Sequence, residues 1–249
     1  EVARQHGKRL AAKVQALADQ RVAMFTTPVA HDVRSTLTTL RTHALAYAKE
    51  HGADGRAAAM MEDVEFIRRT MDAMEQFSKP LPDERHPEDL RQMIDQAIEK
   101  ARSGVEAVGH DLQAVEVAVR DVPAVQLRVM RRLIIVALMN IIQNAFESFA
   151  AHGVDALAPG RIEIEAVVDG YETRIAVRDN GPGIEPEVLK GLAAFAPTGR
   201  NKSKRNSSGW GLSLVHKYIT AHGGAVTIDS TVDGGTTVTV TLPMYVAGG

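Results

Sequence analysis

The chain has 249 residues, 45% of them hydrophobic and 24% charged, enough apolar side chain for one large core or two ordinary ones. Its 29 basic and 31 acidic residues give a formal net charge of -2, without the basic excess of a general nucleic-acid binder, so nucleic acid is not an expected partner. The absence of cysteine excludes a disulfide framework, a thiolate metal site and a thiol nucleophile, and permits a reducing compartment without requiring one.

To residue 78 the chain reads as helix. Leu10, Val14 and Leu17, then Val33, Leu37, Leu40, Ala44 and Tyr47, recur at steps of three and four, the spacing of a bundle seam. His51-Gly-Ala-Asp-Gly interrupts it. A second series of Ala57, Met60, Val64, Ile67, Met71 and Met74 follows, until Ser78-Lys-Pro-Leu-Pro stops the helix. Two helices cannot enclose a core by themselves, so the stripe predicts a homodimer that completes a four-helix bundle. The expected organisation is a helical hairpin over 1–78, a linker over 79–86 and a second domain over 87–249.

Past the linker the pattern becomes mixed. An amphipathic segment spans 87–102, apolar alternation marks a strand at 115–119, and a helix is expected over 129–150, where the most apolar stretch, Leu133 to Ile142, is interrupted by Asn140 and too short for a bilayer. Alternation at 161–167 and 173–178 around Asp169-Gly170 predicts a hairpin. A polar stretch then leads into a helix at 213–221, and strands at 225–228 and 236–242 flank Asp233-Gly-Gly. The expected fold class is α+β: the hairpin, then an α/β sandwich with helices over one face of a mixed sheet.

Four motifs carry chemistry. His31 lies on the first helix with Asp32 beside it and Ser35 one turn further on the same face. A neutral imidazole is a competent nucleophile toward phosphorus, and a neighbouring carboxylate can hold its other N–H and stabilise the positive charge that develops. Asn140 and Asn144 stand at i and i+4 on the most apolar helix; a carboxamide oxygen suits Mg²⁺ held mainly by phosphates and water. Asp179-Asn-Gly-Pro-Gly-Ile184 follows a strand; taken alone it reads best as a turn, and as part of a pocket Gly181 and Gly183 would let a planar ring approach the backbone while Asp179 met a base amino group. Gly209-Trp-Gly-Leu212 opens a helix whose free N–H groups and dipole favour phosphate.

In this order the motifs resemble the catalytic core of bacterial sensor histidine kinases of two-component systems, a branch of the superfamily that also holds gyrase, mismatch-repair and chaperone ATPases. His31-Asp-Val-Arg-Ser-Thr-Leu is similar to the phosphoacceptor box His-Glu-Leu-Arg-Thr-Pro-Leu, 140–147 to the asparagine box, 179–184 to the first glycine box and 209–212 to the second. Phe195 to Lys202 resembles the lid entrance, and His222-Gly-Gly and Gly235-Thr-Thr-Val resemble the elements that close the domain. The resemblance implies an ATP-dependent protein-histidine kinase in which His31 accepts the γ-phosphoryl group and Asp32 assists, with Ser35 at the position associated with positioning water to dephosphorylate the partner. It also implies that Asn144 holds Mg²⁺, that Asn140, Asp179, Gly181, Gly183, Ile184 and Thr237 contact the nucleotide, and that Thr198, Arg200, Lys202, Gly209, Gly211 and Leu212 close over the phosphates.

The implied partners are a second copy of the chain, a response-regulator receiver domain and a sensor domain, membrane-bound or not, upstream of this piece. The ATPases of the superfamily carry glutamate four residues before the magnesium asparagine; here that position is Asn140, and an amide is no general base at neutral pH. Transfer to His31 is therefore expected over hydrolysis. The motifs also depart from the pattern at Thr36, where proline is usual, at Asp32 and Ser35, at Glu147 and at Trp210. These departures leave a rival, a degenerate kinase acting as a nucleotide-responsive regulator-binding or phosphatase module.

Overall fold

The computed structural model describes residues 33, 35–47, 49, 55–82, 84–106, 114–152, 159–192, 195 and 210–244. The chain divides into two compact units, one of residues 1–81 and 199–210, the other of 82–198 and 211–249.

In the first unit the helical residues 35–47 form α1, and α2 spans Gly55–Ser78. The heptad positions divide: Leu37 and Ala44 are buried, whereas Leu40, Met60 and Ile67 stand exposed; outside the series Ala73 is buried and Leu45 exposed. Glu65 knits the middle of α2, accepting from Arg68 Nε at 2.9 Å and Arg69 Nε at 3.0 Å, while Arg68 Nη1 reaches Asp72 at 2.8 Å. At the helix end Pro80 and Pro82 cannot continue the ladder. Trp210, the chain's only tryptophan, meets Phe77 edge-on, with centroids 5.4 Å apart at 66°.

The second unit is built on β2 (Val115–Arg120), β4 (Gly160–Asp169), β5 (Glu172–Asp179), β6 (Ala225–Thr231) and β7 (Gly235–Pro243). Their order is β2-β4-β5-β7-β6, with β2 and β4 parallel and every other pair antiparallel, so the sheet is mixed as the alternation implied. β4 and β5 join through Gly170, whose φ of 62 a side chain rarely adopts. Along them Ile162, Ile164, Ile175 and Val177 point inward beneath the helices.

Three helices cover that face. α3 (Leu90–Glu106) buries Leu90, Met93, Ile94, Ala97, Ala101 and Val105, and Asp89 caps it by accepting the Gln92 N–H at 2.8 Å. α4 (Arg131–His152) packs between α3 and α6 (Gly211–Ala221). α6 ends in a Schellman turn, with Gly224 N–H on the Ile219 carbonyl at 3.0 Å, Gly223 N–H on that of Thr220 at 2.9 Å and Gly223 at φ 76. By length and hydropathy the Arg131–Phe149 stretch passes for a membrane span, yet it is the core helix of this unit.

Three elements were not anticipated. β1 (His86–Asp89) and β3 (Gln126–Val129) pair antiparallel as a separate ribbon, and α5 (Pro186–Leu192) follows the first glycine motif. The expected helix at 129–150 starts two residues later, because Val129 belongs to β3.

Candidate nucleotide site

The site is assembled where α4 meets the start of α6, over the end of β5. On α4, Asn140 donates its Nδ2 to the Val136 carbonyl at 2.8 Å, which orients the amide. A Cβ on Gly211, the first residue of α6, would lie 3.1 Å from Asn140 Oδ1. Glycine at 211 thus lets the N-terminus of α6 come up against α4 at the level of the asparagines, where its first backbone N–H groups have no partner inside the helix. Ser213, in the same turn, has a buried hydroxyl with no hydrogen-bond partner among the described residues. Asn144 is half-buried one turn beyond Asn140.

Asp179 ends β5 only 7% exposed, and its Oδ1 accepts the Gly181 N–H at 2.9 Å. A Cβ on Gly181 would meet Ser148 Oγ of α4 at 2.7 Å and Asp179 Oδ1 at 2.8 Å, so only glycine lets the backbone pass between carboxylate and helix. Gly183, at φ 72, lies where a side chain would strike the Thr231 carbonyl. The loop is pinned to the β6–β7 end by Asp233 N–H on the Pro182 carbonyl at 2.8 Å and by Ile184 N–H on Ser230 Oγ at 2.9 Å. Ser230 gives its proton to the Gly235 carbonyl at 2.8 Å, which makes Thr236, 2.9 Å away, a donor to it. Asn180 works backward, accepting the Arg161 N–H at 2.6 Å and holding the start of β4.

The structure brings Asn140, Asn144, Asp179, Gly181, Gly183, Ile184, Gly211 and Leu212 into one region of the second unit. Thr237 is placed otherwise. In the register of β5 and β7 it lies across from Arg178, on the face away from the helices, while Thr236 lies across from Asp179 on the inner face. Thr236, which the sequence reading did not name for the site, shares the inner face with the buried Val238 and Val240, a parity legible in the alternation of the strand. Ser148 was missed as well. Ser35 is exposed on α1, its carbonyl accepting Thr39 Oγ1 at 3.3 Å. Phe195, at φ 50, stacks on His216 of α6, with centroids 4.7 Å apart and planes at 13°. His31, Asp32, Thr198, Arg200, Lys202 and Gly209 lie outside the described residues.

A mixed sheet covered on one face by α3, α4 and α6, with an amide-bearing helix against a glycine-opened one, forms an α/β sandwich whose helix N-terminus suits an anionic ligand. Residues 129–246 match the model of the family described as "Histidine kinase-, DNA gyrase B-, and HSP90-like ATPase", and over most of its length the chain is similar to sensor histidine kinases. It is 26% identical over 222 residues to the sensor histidine kinase ZraS of Escherichia coli (strain K12), covering 88% of this chain and 44% of ZraS. The structure of a mycobacterial sensor histidine kinase, MprB, aligns at 25% identity with a TM-score of 0.52, covering 64% of this chain and 98% of that one. Histidine kinase ThkA in complex with response regulator protein TrrA aligns at TM-score 0.64 and 18% identity over 95% of this chain and 66% of that chain, a likeness of fold. The chain spans less than half the length of the curated relatives it matches first.

Proposed function

We propose that this chain is the core of an ATP-dependent protein-histidine autokinase that phosphorylates His31 and passes the phosphoryl group to an aspartate of a response regulator. The observation that carries the reading is Asn140: an amide whose N–H₂ is committed to the Val136 carbonyl stands where α4 faces the N-terminus of α6. That position offers no base to strip a proton from water, so the site favours a nucleophile of the protein's own over hydrolysis. The residues fit the nucleotide. Asp179 presents a buried carboxylate beside the bare backbone of Gly181, as an adenine amino group requires, with Thr236 on the same face. Gly211 and the first turn of α6 offer N–H groups to phosphate, and the buried hydroxyl of Ser213 has no hydrogen-bond partner among the described residues, leaving it open to a ligand. Asn144 would hold Mg²⁺ through its carboxamide oxygen, and the ion would neutralise charge on the phosphates.

In the proposed step a bond forms between an imidazole nitrogen of His31 and the γ-phosphorus while the bond from that phosphorus to the bridging oxygen breaks, releasing ADP. Asp32 would hold the other ring N–H and stabilise its positive charge. Lid cations such as Arg200 and Lys202 would cover the phosphates together with Thr198 and Gly209. The active form is a homodimer whose second copy covers Leu40, Leu45, Met60 and Ile67, working in the cytoplasm. The ThkA complex supports a receiver domain as the onward acceptor, since that kinase was crystallised with its regulator.

Incubation with γ-labelled ATP and Mg²⁺ tests the reading. Acid-labile, base-stable label should appear on the wild type and vanish in His31→Gln, which should still bind ADP; Asp179→Asn should lose both label and binding. A folded wild type that binds ADP yet takes no label would make the chain a nucleotide-responsive regulator-binding module instead.

A further inference from the structure

His222, 1% exposed, lies at the end of α6 away from the proposed phosphate site. Its Nε2 is 3.0 Å from the Met130 N–H, the residue just before α4, and its Nδ1 is 2.6 Å from the Tyr218 carbonyl on α6. Only one tautomer satisfies both contacts: Nδ1 carries the proton and donates to Tyr218, and Nε2 carries the lone pair that accepts from Met130. The ring is therefore a strut between the two helices that, at their other level, bring Gly211 against Asn140. The Schellman turn through Gly223 and Gly224 fixes the backbone from which it projects.

We propose that His222 is a positioning residue for the nucleotide site: its neutral ring ties the C-terminal end of α6 to the start of α4 and so holds Gly211, Asn140 and Asn144 in register. This rests on the nucleotide reading above. A proton added at Nε2 would turn the acceptor into a donor facing the Met130 N–H, and the strut would open. The surroundings offer such a proton no compensation. Arg85, ahead of β1, donates to the Ala221 carbonyl at 2.8 Å and adds positive charge beside the ring. At the start of α4, Arg131 is paired with Glu88 of β1 at 2.7 Å, and Arg132 acts on Tyr218. Among the described residues no carboxylate is paired with the ring. Burial first, and then the Arg85 charge, hold His222 below the ordinary histidine value of 6.5, with the Tyr218 carbonyl opposing.

Calorimetric binding of Mg-ADP to the whole chain at about pH 8 and about pH 5, beside the His222→Gln and His222→Phe variants, tests this. Glutamine keeps an acceptor near Nε2 and does not titrate; phenylalanine keeps shape without the acceptor. The wild type should lose about fivefold more affinity on acidification than His222→Gln, a difference that cancels titration of the nucleotide itself. His222→Phe should bind weakly at both pH values with an unchanged circular dichroism spectrum. The Met130 amide ¹⁵N shift should follow the ring titration in the wild type and stay flat in His222→Gln. Parallel acid losses in wild type and His222→Gln, or wild-type affinity in His222→Phe, overturn the proposal. If the wild type binds no ADP at about pH 8, the nucleotide reading fails by itself, and the Met130 amide shift alone decides whether His222 is the strut.

Discussion

Glycines at two points of the site are set by what stands opposite them. At 211 a methyl group would come 3.1 Å from Asn140 Oδ1, and Asn140 cannot swing aside without giving up its bond to the Val136 carbonyl. Gly211→Ala gains helix propensity, but overpacking of about 1–2 kcal/mol at the α4–α6 contact should win and weaken ADP binding by about tenfold. Gly191 in α5 is the control, because among the described residues nothing lies within 4 Å of its would-be Cβ, and Gly191→Ala should stabilise the unit by up to about 1 kcal/mol without touching affinity. At 181 the clash is divided between Ser148 Oγ and Asp179 Oδ1. Gly181→Ala should cost about 1–3 kcal/mol in urea unfolding, and Ser148→Ala in the same chain should recover part of it. Additive losses in that double-mutant cycle would show that Ser148 does not border the loop.

Along α2 the ion pairs set an acid limit. Hydrogen bonds from Arg68, then Arg69, outweigh burial and lower the Glu65 pKa from 4.5 to about 2. A carboxyl whose pKa is depressed in the folded state binds fewer protons there than in the unfolded state, so its stabilisation is present above 4.5 and is lost as pH falls toward about 2. Helicity of a fragment carrying α1 and α2 should fall through that window, and Glu65→Gln should remove that part of the acid dependence at the expense of some helicity at neutral pH. A titration with the same shape in both would mean the network contributes nothing, which is common for pairs this open to water. The same local logic explains what the sequence made legible. The β4–β5 hairpin, α4, α6 and the closing strands declare themselves by period and by glycine turns, and the asparagine and glycine motifs by residue type. The β1–β3 ribbon does not, because four residues containing Pro87 have no readable alternation and their partner lies some forty residues on. Parity along β7 distinguishes Thr236 from Thr237, but placing Thr236 across from Asp179 needs the register of β7 against β5. His222 reads as part of a helix-ending motif, and its bond to Met130, 92 residues away, exists only in three dimensions.

The two units differ in how complete their cores are, and that difference predicts how the protein assembles. The second buries Phe146, Ile134, Ile141, Ile162 and Ile175 to within 2% exposure under its own helices, so it has the interior of an independent domain. In the first, the heptad series that bury Leu37 and Ala44 leave Leu40 at 47%, Met60 at 54% and Ile67 at 41% exposed, and Leu45, next to Ala44 in the chain, is at 47% as well. Burying the exposed half of four such side chains contributes about 1 kcal/mol each before the cost of association, and a second copy offers the same stripe by symmetry. Sedimentation equilibrium should therefore find the whole chain dimeric and residues 82–249 monomeric and folded. Leu40→Glu with Ile67→Glu should shift the whole chain to monomer without lowering the unfolding midpoint of the second unit. The dimer also separates the two halves of the proposed chemistry. The monomeric variant should bind ADP with wild-type affinity, because Asn144, Asp179 and Gly211 lie in the second unit, while its labelling on His31 depends on the bundle. If the variant stays dimeric, some surface other than this stripe joins the copies, and the exposed leucines, methionine and isoleucine need a different cover.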